Sequence, residues 1–250
     1  MCGFVTIFNP LEKPNVSKNE MDQMCDLIEK RGPDYYGIFE DNNLITGCRR
    51  LSIIDLSNDA NIPFSKNNYT ISYNGEVYNF IEIRRKLKKE YGIVFNTNSD
   101  TEAILEAYIN YGPKCLNIFN GMFAFTIWDQ NNKSLFIARD RLGVKPLFFS
   151  KVNNDYYFSS DIKSLWVKIS PSGLLNDTAV YNYFGQGYIS ESETTTKTIN
   201  KFPAGHYQLI NHSTNKLEKY WDLVFNKEIN QMNFYDSVNE TEKILENEVK

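Results

Sequence analysis

MCGFVTIF, residues 1–8, is the stretch on which the reading of this chain turns. Gly3 to Phe8 is a short apolar run with β-branched residues, suited to a buried strand, and Pro10 and Pro14 close it. Cys2 stands directly in front of that strand. Removal of Met1, which a residue as small as cysteine permits, would leave a thiol and a free α-amino group on one residue. A terminal amine titrates at roughly 8, against roughly 10.4 for lysine, so near neutral pH much of it can accept the thiol's proton. A mid-chain cysteine would need a separate histidine or a positive field to form its thiolate. A cysteine in second place is a weak signal by itself, so the rest of the chain has to carry the case.

The 250 residues, 42% hydrophobic and 14% aromatic, suffice for a full core. With 27 basic and 31 acidic residues the formal charge is −4, which gives no electrostatic footprint for nucleic acid or an anionic membrane. Small neutral or zwitterionic substrates fit better. No apolar window reaches the length of a membrane span and no basic-then-apolar leader opens the chain, which predicts a cytoplasmic protein. Cys25, Cys48 and Cys115 are then reduced core thiols. His206 and His212 are the only histidines and there is no CxxC spacing, so no metal site is expected.

Short strands are expected at Tyr36 to Phe39, Leu44 to Cys48 and Tyr69 to Tyr73, the last running into Asn74-Gly75-Glu76. Helices are expected after Ser17, with Glu20 completing a capping box and Gly32-Pro33 as the stop, and after Asn79. A third is boxed by Ser99 and Glu102. From Met122 onward strands dominate: Met122 to Trp128, Ser134 to Ala138, Leu147 to Val152, Tyr156 to Ser159, His206 to Ile210 and Leu217 to Trp221. Asp177 to Phe184 is a short helical candidate and Ser190 to Lys201 a polar loop. Asn233 to Lys250 carries apolar residues at helical spacing without a stop signal. Strands at both ends with helices between them predict an α+β layered fold of two antiparallel sheets.

Three polar sets can act with Cys2. In Arg49-Arg50-Leu51-Ser52-Ile53-Ile54, one guanidinium can hold a carboxylate through a bidentate pair. Asn74-Gly75 at a strand end offers a side-chain amide beside a backbone N–H without a Cβ, the parts of an oxyanion hole, although Asn-Gly is commonly just a turn. Asp100, one residue inside a helix start, can hold an ammonium, although the helix dipole alone favours a carboxylate there.

Eight collinear blocks extend these signals: Cys2-Gly3, RGPDYYG (31–37), RRLSIIDL (49–56), YNGEVYN (73–79), SDTE (99–102), FNGMFAFTIWD (119–129), ARDRLGVKPL (138–147) and FPAGHY (202–207). Together they resemble the class II glutamine amidotransferase domain of asparagine synthetases, over residues 2 to about 222. The resemblance implies a four-layer αββα sandwich, the N-terminal nucleophile hydrolase fold. It also implies a glutaminase in which Cys2 attacks the glutamine side-chain amide, while Asn74 and Gly75 hold the oxyanion. Arg50 would bind the α-carboxylate. Asp100 and Glu76, with backbone groups of Leu51 and Ile53, would anchor the amino end. The chain departs from the pattern at Gly47-Cys48, where a histidine often precedes the arginine, and at Asp59 to Pro63, where GHQP is usual.

The domain expectation is a glutaminase unit over 2–222 and, over 223–250, a linker and first helix of an ATP-dependent synthetase domain. No serine/glycine-rich ATP loop occurs before Lys250, so ATP and Mg are expected only for that further domain and no cofactor for this part. Glutamine and the chain's own synthetase domain are the expected partners, and a homodimer is compatible with the resemblance. The alternatives are a class II amidotransferase with another acceptor and an inactive glutamine-binding paralogue.

Overall fold

The computed structural model describes residues 2–169, 174–190, 193–224 and 232–249. Two six-stranded antiparallel sheets form its centre. The first has the order β10-β8-β9-β1-β3-β2, from β1 (Gly3–Phe8), β2 (Tyr35–Asp41), β3 (Leu44–Arg50), β8 (Phe148–Val152), β9 (Asp155–Ser159) and β10 (Asn200–Lys201). The second has the order β12-β11-β7-β6-β5-β4, from β4 (Phe64–Lys66), β5 (Tyr69–Val77), β6 (Gly121–Asp129), β7 (Ser134–Arg139), β11 (His206–Ile210) and β12 (Asn215–Lys219).

Helices cover both outer faces. Against the first sheet, Met21, Met24 and Cys25 of α1 (Lys18–Asp26) and Leu165 of α4 (Ile162–Ile169) pack with Val5, Ile7, Ile45 and Tyr157. Against the second lie α2 (Phe80–Tyr91), through Ile83 and Leu87, and α3 (Asp100–Tyr111), through Ile104 and Leu105. The expected αββα sandwich is present. α5 (Asp177–Gln186) and α6 (Phe234–Val249) lie further along the chain, and α6 buries none of its residues.

Because successive strand residues face opposite ways, each strand feeds two layers. Phe4 and Phe8 of β1 face the second sheet, where Phe8 meets Trp128 at 5.5 Å between ring centroids, while Val5 and Ile7 face the helices. Between the two phenylalanines sits a buried hydroxyl cluster. Thr6 Oγ1 lies 2.7 Å from Thr46 Oγ1 and 2.9 Å from Thr126 Oγ1, and Thr46 Oγ1 lies 2.7 Å from Ser72 Oγ. Thr6 and Thr46 belong to the first sheet, Ser72 and Thr126 to the second. Each hydroxyl is satisfied by another, so the seam carries polar contacts without an orphaned group.

Several local expectations need correction. Asn74-Gly75 does not end a strand: β5 continues to Val77, with Asn74 opposite Ala124 and Gly75 opposite Phe123 on β6. α1 stops at Asp26, before Gly32-Pro33, because Ile28 leaves helical geometry and a 3-10 turn over Glu29–Arg31 tightens the exit. Gly32 is nevertheless required, since a Cβ there would lie 2.2 Å from the Arg49 carbonyl oxygen. At α3 only half a capping box forms. Ser99 Oγ accepts from Glu102 N at 3.3 Å, but the Glu102 carboxylate accepts from Asn96 N, Thr97 N and Thr97 Oγ1 instead. Strand β4 and helix α4 are not expected from the sequence, nor is β10, which turns the end of the expected Ser190 to Lys201 loop into a short edge strand on β8.

Thr46→Val keeps the shape of the central hydroxyl but strands its neighbours. It is expected to cost about 1–3 kcal/mol of stability, read as a lowered urea midpoint at unchanged slope. An unchanged midpoint would mean that the hydroxyl seam contributes nothing net.

Candidate active site

All eight site residues expected from the sequence line a single cavity of about 150 Å³: Cys2, Arg50, Leu51, Ile53, Asn74, Gly75, Glu76 and Asp100. That is about the volume of an engineered cavity that takes up benzene. A larger open groove of about 700 Å³ between α2 and residues 92–98 holds none of them. The chemistry therefore selects the smaller space.

β1 and β3 run antiparallel with Gly3 opposite Arg49, which brings Cys2 beside the residues that follow β3. The Cys2 sulfur lies 3.4 Å from Leu51 N and 3.6 Å from Leu51 O, so it can both accept from and donate to that peptide. Burial pushes the Cys2 thiol above its ordinary value. The Leu51 N–H and the Arg50 charge oppose the shift, and Asp100 reinforces it. As placed, the sulfur favours the thiol form and needs a base to become a nucleophile. Met1, whose removal the terminal-amine reading requires, lies outside the described residues.

The alternation within β5 divides the rest of the site. Asn74 faces the first sheet, and the hydrogen-bonding surroundings assign its amide orientation. Its Nδ2 donates to the Cys2 carbonyl at 2.8 Å and its Oδ1 accepts from Arg31 Nη2 at 3.3 Å. Arg31 Nε also donates to the Cys2 carbonyl at 3.2 Å, so one guanidinium holds the backbone of the nucleophile and the amide across from it. Gly3 makes room for this arginine, since a Cβ there would lie 3.1 Å from Arg31 Cδ. Gly75 is set by the sheet: a Cβ would lie 2.4 Å from Met122 O on β6. The glycine is thus demanded by strand pairing, a reason the sequence did not suggest.

Tyr73, facing the other way, donates to Asp100 Oδ2 at 2.6 Å, and Val77 N donates to the same oxygen at 3.1 Å. Asp100 is 6% exposed, and burial pushes its carboxyl up against those bonds. Burial also pushes Glu76 up, with a push from Asp100 and an opposing pull from Lys145. Two carboxyls whose charged forms burial disfavours share one cavity, and an arriving ammonium would favour those charged forms.

Which of the two arginines enters the site is decided by alternation on β3. Arg49 turns outward, with Nε donating to Cys25 O at 3.3 Å and its guanidinium 4.4 Å above the Tyr36 ring. Arg50 turns inward and is 5% exposed. Its Nη1 donates to Ser57 O at 3.2 Å and Asn61 Oδ1 at 2.9 Å, and its Nη2 to Ile54 O at 3.2 Å and to Asp55 O. The fork expected to clamp a carboxylate is therefore holding the 54–61 segment. That segment is tied from above as well, because Asp55 Oδ2 accepts from Asn98 N at 2.6 Å. Ile53 lines the cavity but is 65% exposed at its rim.

Sequence reasoning named no role for Arg31, Tyr73 or Lys145. Arg31 and Lys145 sat inside recognised blocks, RGPDYYG and ARDRLGVKPL, and a charged residue within a glycine-containing turn was the available signal. Tyr73 opens the block YNGEVYN, where it reads as an ordinary strand aromatic.

Two antiparallel sheets between helix layers, with a thiol leading the first strand of one and an amide and glycine in the facing strand of the other, define the αββα sandwich known as the N-terminal nucleophile hydrolase fold. The sequence profile of the glutamine amidotransferase domain matches residues 1–221, and the chain belongs to that family. It is similar to asparagine synthetase [glutamine-hydrolyzing] 1 of Bacillus subtilis, 38% identical over 82% of this chain and 33% of that protein. It is also similar to asparagine synthetase [glutamine-hydrolyzing] 3 of the same organism, 33% identical over 89% of this chain and 37% of that protein. The chain spans about a third of the length of these relatives. Among solved structures, glutamine phosphoribosylpyrophosphate amidotransferase from B. subtilis superposes with a TM-score of 0.63 at 16% identity, covering 89% of this chain and 50% of that one, a likeness of fold.

Asp100→Asn tests the cost of the buried carboxyl. The folded-state value is raised above the ordinary 3.8, so folding binds a proton and wild-type stability falls as pH rises from that value through the folded one. The variant is expected to melt above wild type at pH 8, with the gap closing below about pH 4, where both states are protonated. A variant melting lower at pH 8 would show that the carboxylate is net stabilising.

Proposed function

We propose that this chain is the glutaminase half of a glutamine-dependent asparagine synthetase. The observation that carries the reading is the junction at Cys2: a thiol, the Asn74 amide and the raised carboxyls of Asp100 and Glu76 share one cavity of amino-acid size. The names of the two curated relatives support the acceptor chemistry.

In this reading the Cys2 sulfur attacks the side-chain amide carbon of glutamine, its proton passing to the α-amine freed when Met1 is removed. The tetrahedral oxyanion is held by Asn74 Nδ2 and the Gly75 N–H. Collapse releases ammonia and leaves a γ-glutamyl thioester, which water hydrolyses to glutamate. Asp100 and Glu76 take the substrate ammonium, and Arg50 takes the α-carboxylate in exchange for a carbonyl of the 54–61 segment. Backbone groups of Leu51 and Ile53 complete the wall. Charged clamps at the α-carbon select glutamine over a bare amide, because an analogue lacking them leaves buried groups unpaired.

The ammonia serves ATP-dependent amidation of aspartate by a further, C-terminal domain of the same protein. The domain boundary in this reading falls after Asp222, with 223–250 as linker and first helix, and ATP and Mg belong to the further domain. The glutaminase step uses no cofactor. Its setting is the cytoplasm, and no helix among the described residues is long and apolar enough to cross a membrane.

Glutamate release by chain whose amino terminus is verified as Cys2 tests the reading. Cys2→Ala is expected to lose several orders of magnitude in rate, and Asn74→Ala about 10²–10³-fold in kcat. Processed wild-type chain that releases no glutamate would sink the proposal. Arg50→Lys is expected mainly to raise KM for glutamine, since lysine cannot reproduce the fork; an unchanged KM would remove Arg50 from the substrate site.

A further inference from the structure

Lys145 is the one lysine among the described residues that line the Cys2 cavity, and only 3% of it is exposed. Its position is built. Asp140 Oδ1 accepts from Leu142 N at 3.2 Å and Val144 N at 2.9 Å, while Oδ2 accepts from Lys145 N at 2.9 Å and Phe123 N at 3.2 Å. Arg139 closes the turn from the other side, Nε donating to Lys145 O at 2.8 Å and Nη2 to Gly143 O at 2.7 Å. Arg139 and Asp140 are themselves buried. Two interior ions thus hold the turn from which Lys145 joins the cavity lining.

Two arginines also lie near Cys2. Arg31 is bonded to the Cys2 carbonyl and Asn74, and Arg50 to the 54–61 segment. We propose that Lys145 is an electrostatic determinant of the Cys2 centre, its ammonium favouring the thiolate and the oxyanion that forms beside Asn74. This rests on the reading of Cys2 as nucleophile and deepens it. Burial pushes the Lys145 ammonium down and Arg31 adds to that push, while Asp140, Glu76 and Cys2 pull it up. The groups facing Cys2 are Arg50 and Cys48 from β3, Tyr73 and Glu76 from β5, Asp100 from α3, Arg31 from the 3-10 turn and Lys145 from the 140–145 turn. Lys145 is a positioning residue in this role, acting through charge.

The test is the pH profile of Cys2 alkylation by iodoacetamide, followed by peptide mass on full-length chain with matched amino termini. Lys145→Met keeps the stem and removes the charge, Lys145→Gln replaces it should the methionine variant not fold, and Lys145→Arg restores the charge. Removal of the cation is expected to move the profile upward by about one pH unit, a tenfold slower reaction at pH 7, with partial return in the arginine variant. A folded, uncharged variant whose profile superposes on wild type overturns the proposal. A shifted profile in processed chain that releases no glutamate would keep this assignment and remove the glutaminase reading; glutamate release with an unshifted profile does the reverse.

Discussion

The hydrogen bond from the Asn74 amide to the Cys2 carbonyl joins two sheets, and the site exists only because those sheets are held at one spacing and one registry. Cys2 leads β1 of the first sheet, and Asn74 lies in the middle of β5 of the second. Facing sheets stand about 10 Å apart, a gap that side chains must bridge. Arg31 spans it with a single guanidinium, and the aromatic and hydroxyl contacts along β1 fix the alignment behind it. Alternation then distributes the remaining groups without further machinery: Asn74 inward to the thiol, Tyr73 outward to Asp100, Arg50 inward, Arg49 outward.

The cavity gathers groups whose charged forms are disfavoured by burial, Cys2, Glu76, Asp100 and Lys145 alike. A ligand carrying an ammonium and a carboxylate would supply the missing counter-charges, so binding and ionisation are coupled. Such a site is less stable than an apolar plug of the same volume, which is the usual relation between a working pocket and its scaffold.

The sequence made the elements and the cluster legible because hydrophobic periodicity and motif order are local properties. β1, α2 and α3 appear where periodicity put them, and the collinear blocks brought all eight expected residues to one cavity. What it concealed was decided by tertiary contact. Asn-Gly carries a strong turn preference, yet β6 pairs with β5 straight through it and accepts only glycine at position 75. Glu102 has the spacing of a cap but finds Lys66 and the 96–97 backbone closer to hand. The choice between Arg49 and Arg50 needs the strand's facing, and the approach of Lys145 to Cys2 needs the packing of a turn distant in sequence. Helix α4 is eight residues long, too short for its periodicity to stand out.

The four hydroxyls buried between the sheets have a consequence for how a substrate gets in. Apolar layers can slide on one another at modest cost, since a methyl group is indifferent to which neighbour it meets. A hydroxyl is not, and translating one sheet past the other by a residue would separate Thr6 from Thr126 and Thr46 from Ser72 inside a dry interior. Shear between the two layers is therefore a costly way for this molecule to admit a ligand. The 54–61 span at the cavity mouth is tethered instead by side-chain bonds, to Arg50 below and from Asn98 to Asp55 above, which a ligand can exchange for its own.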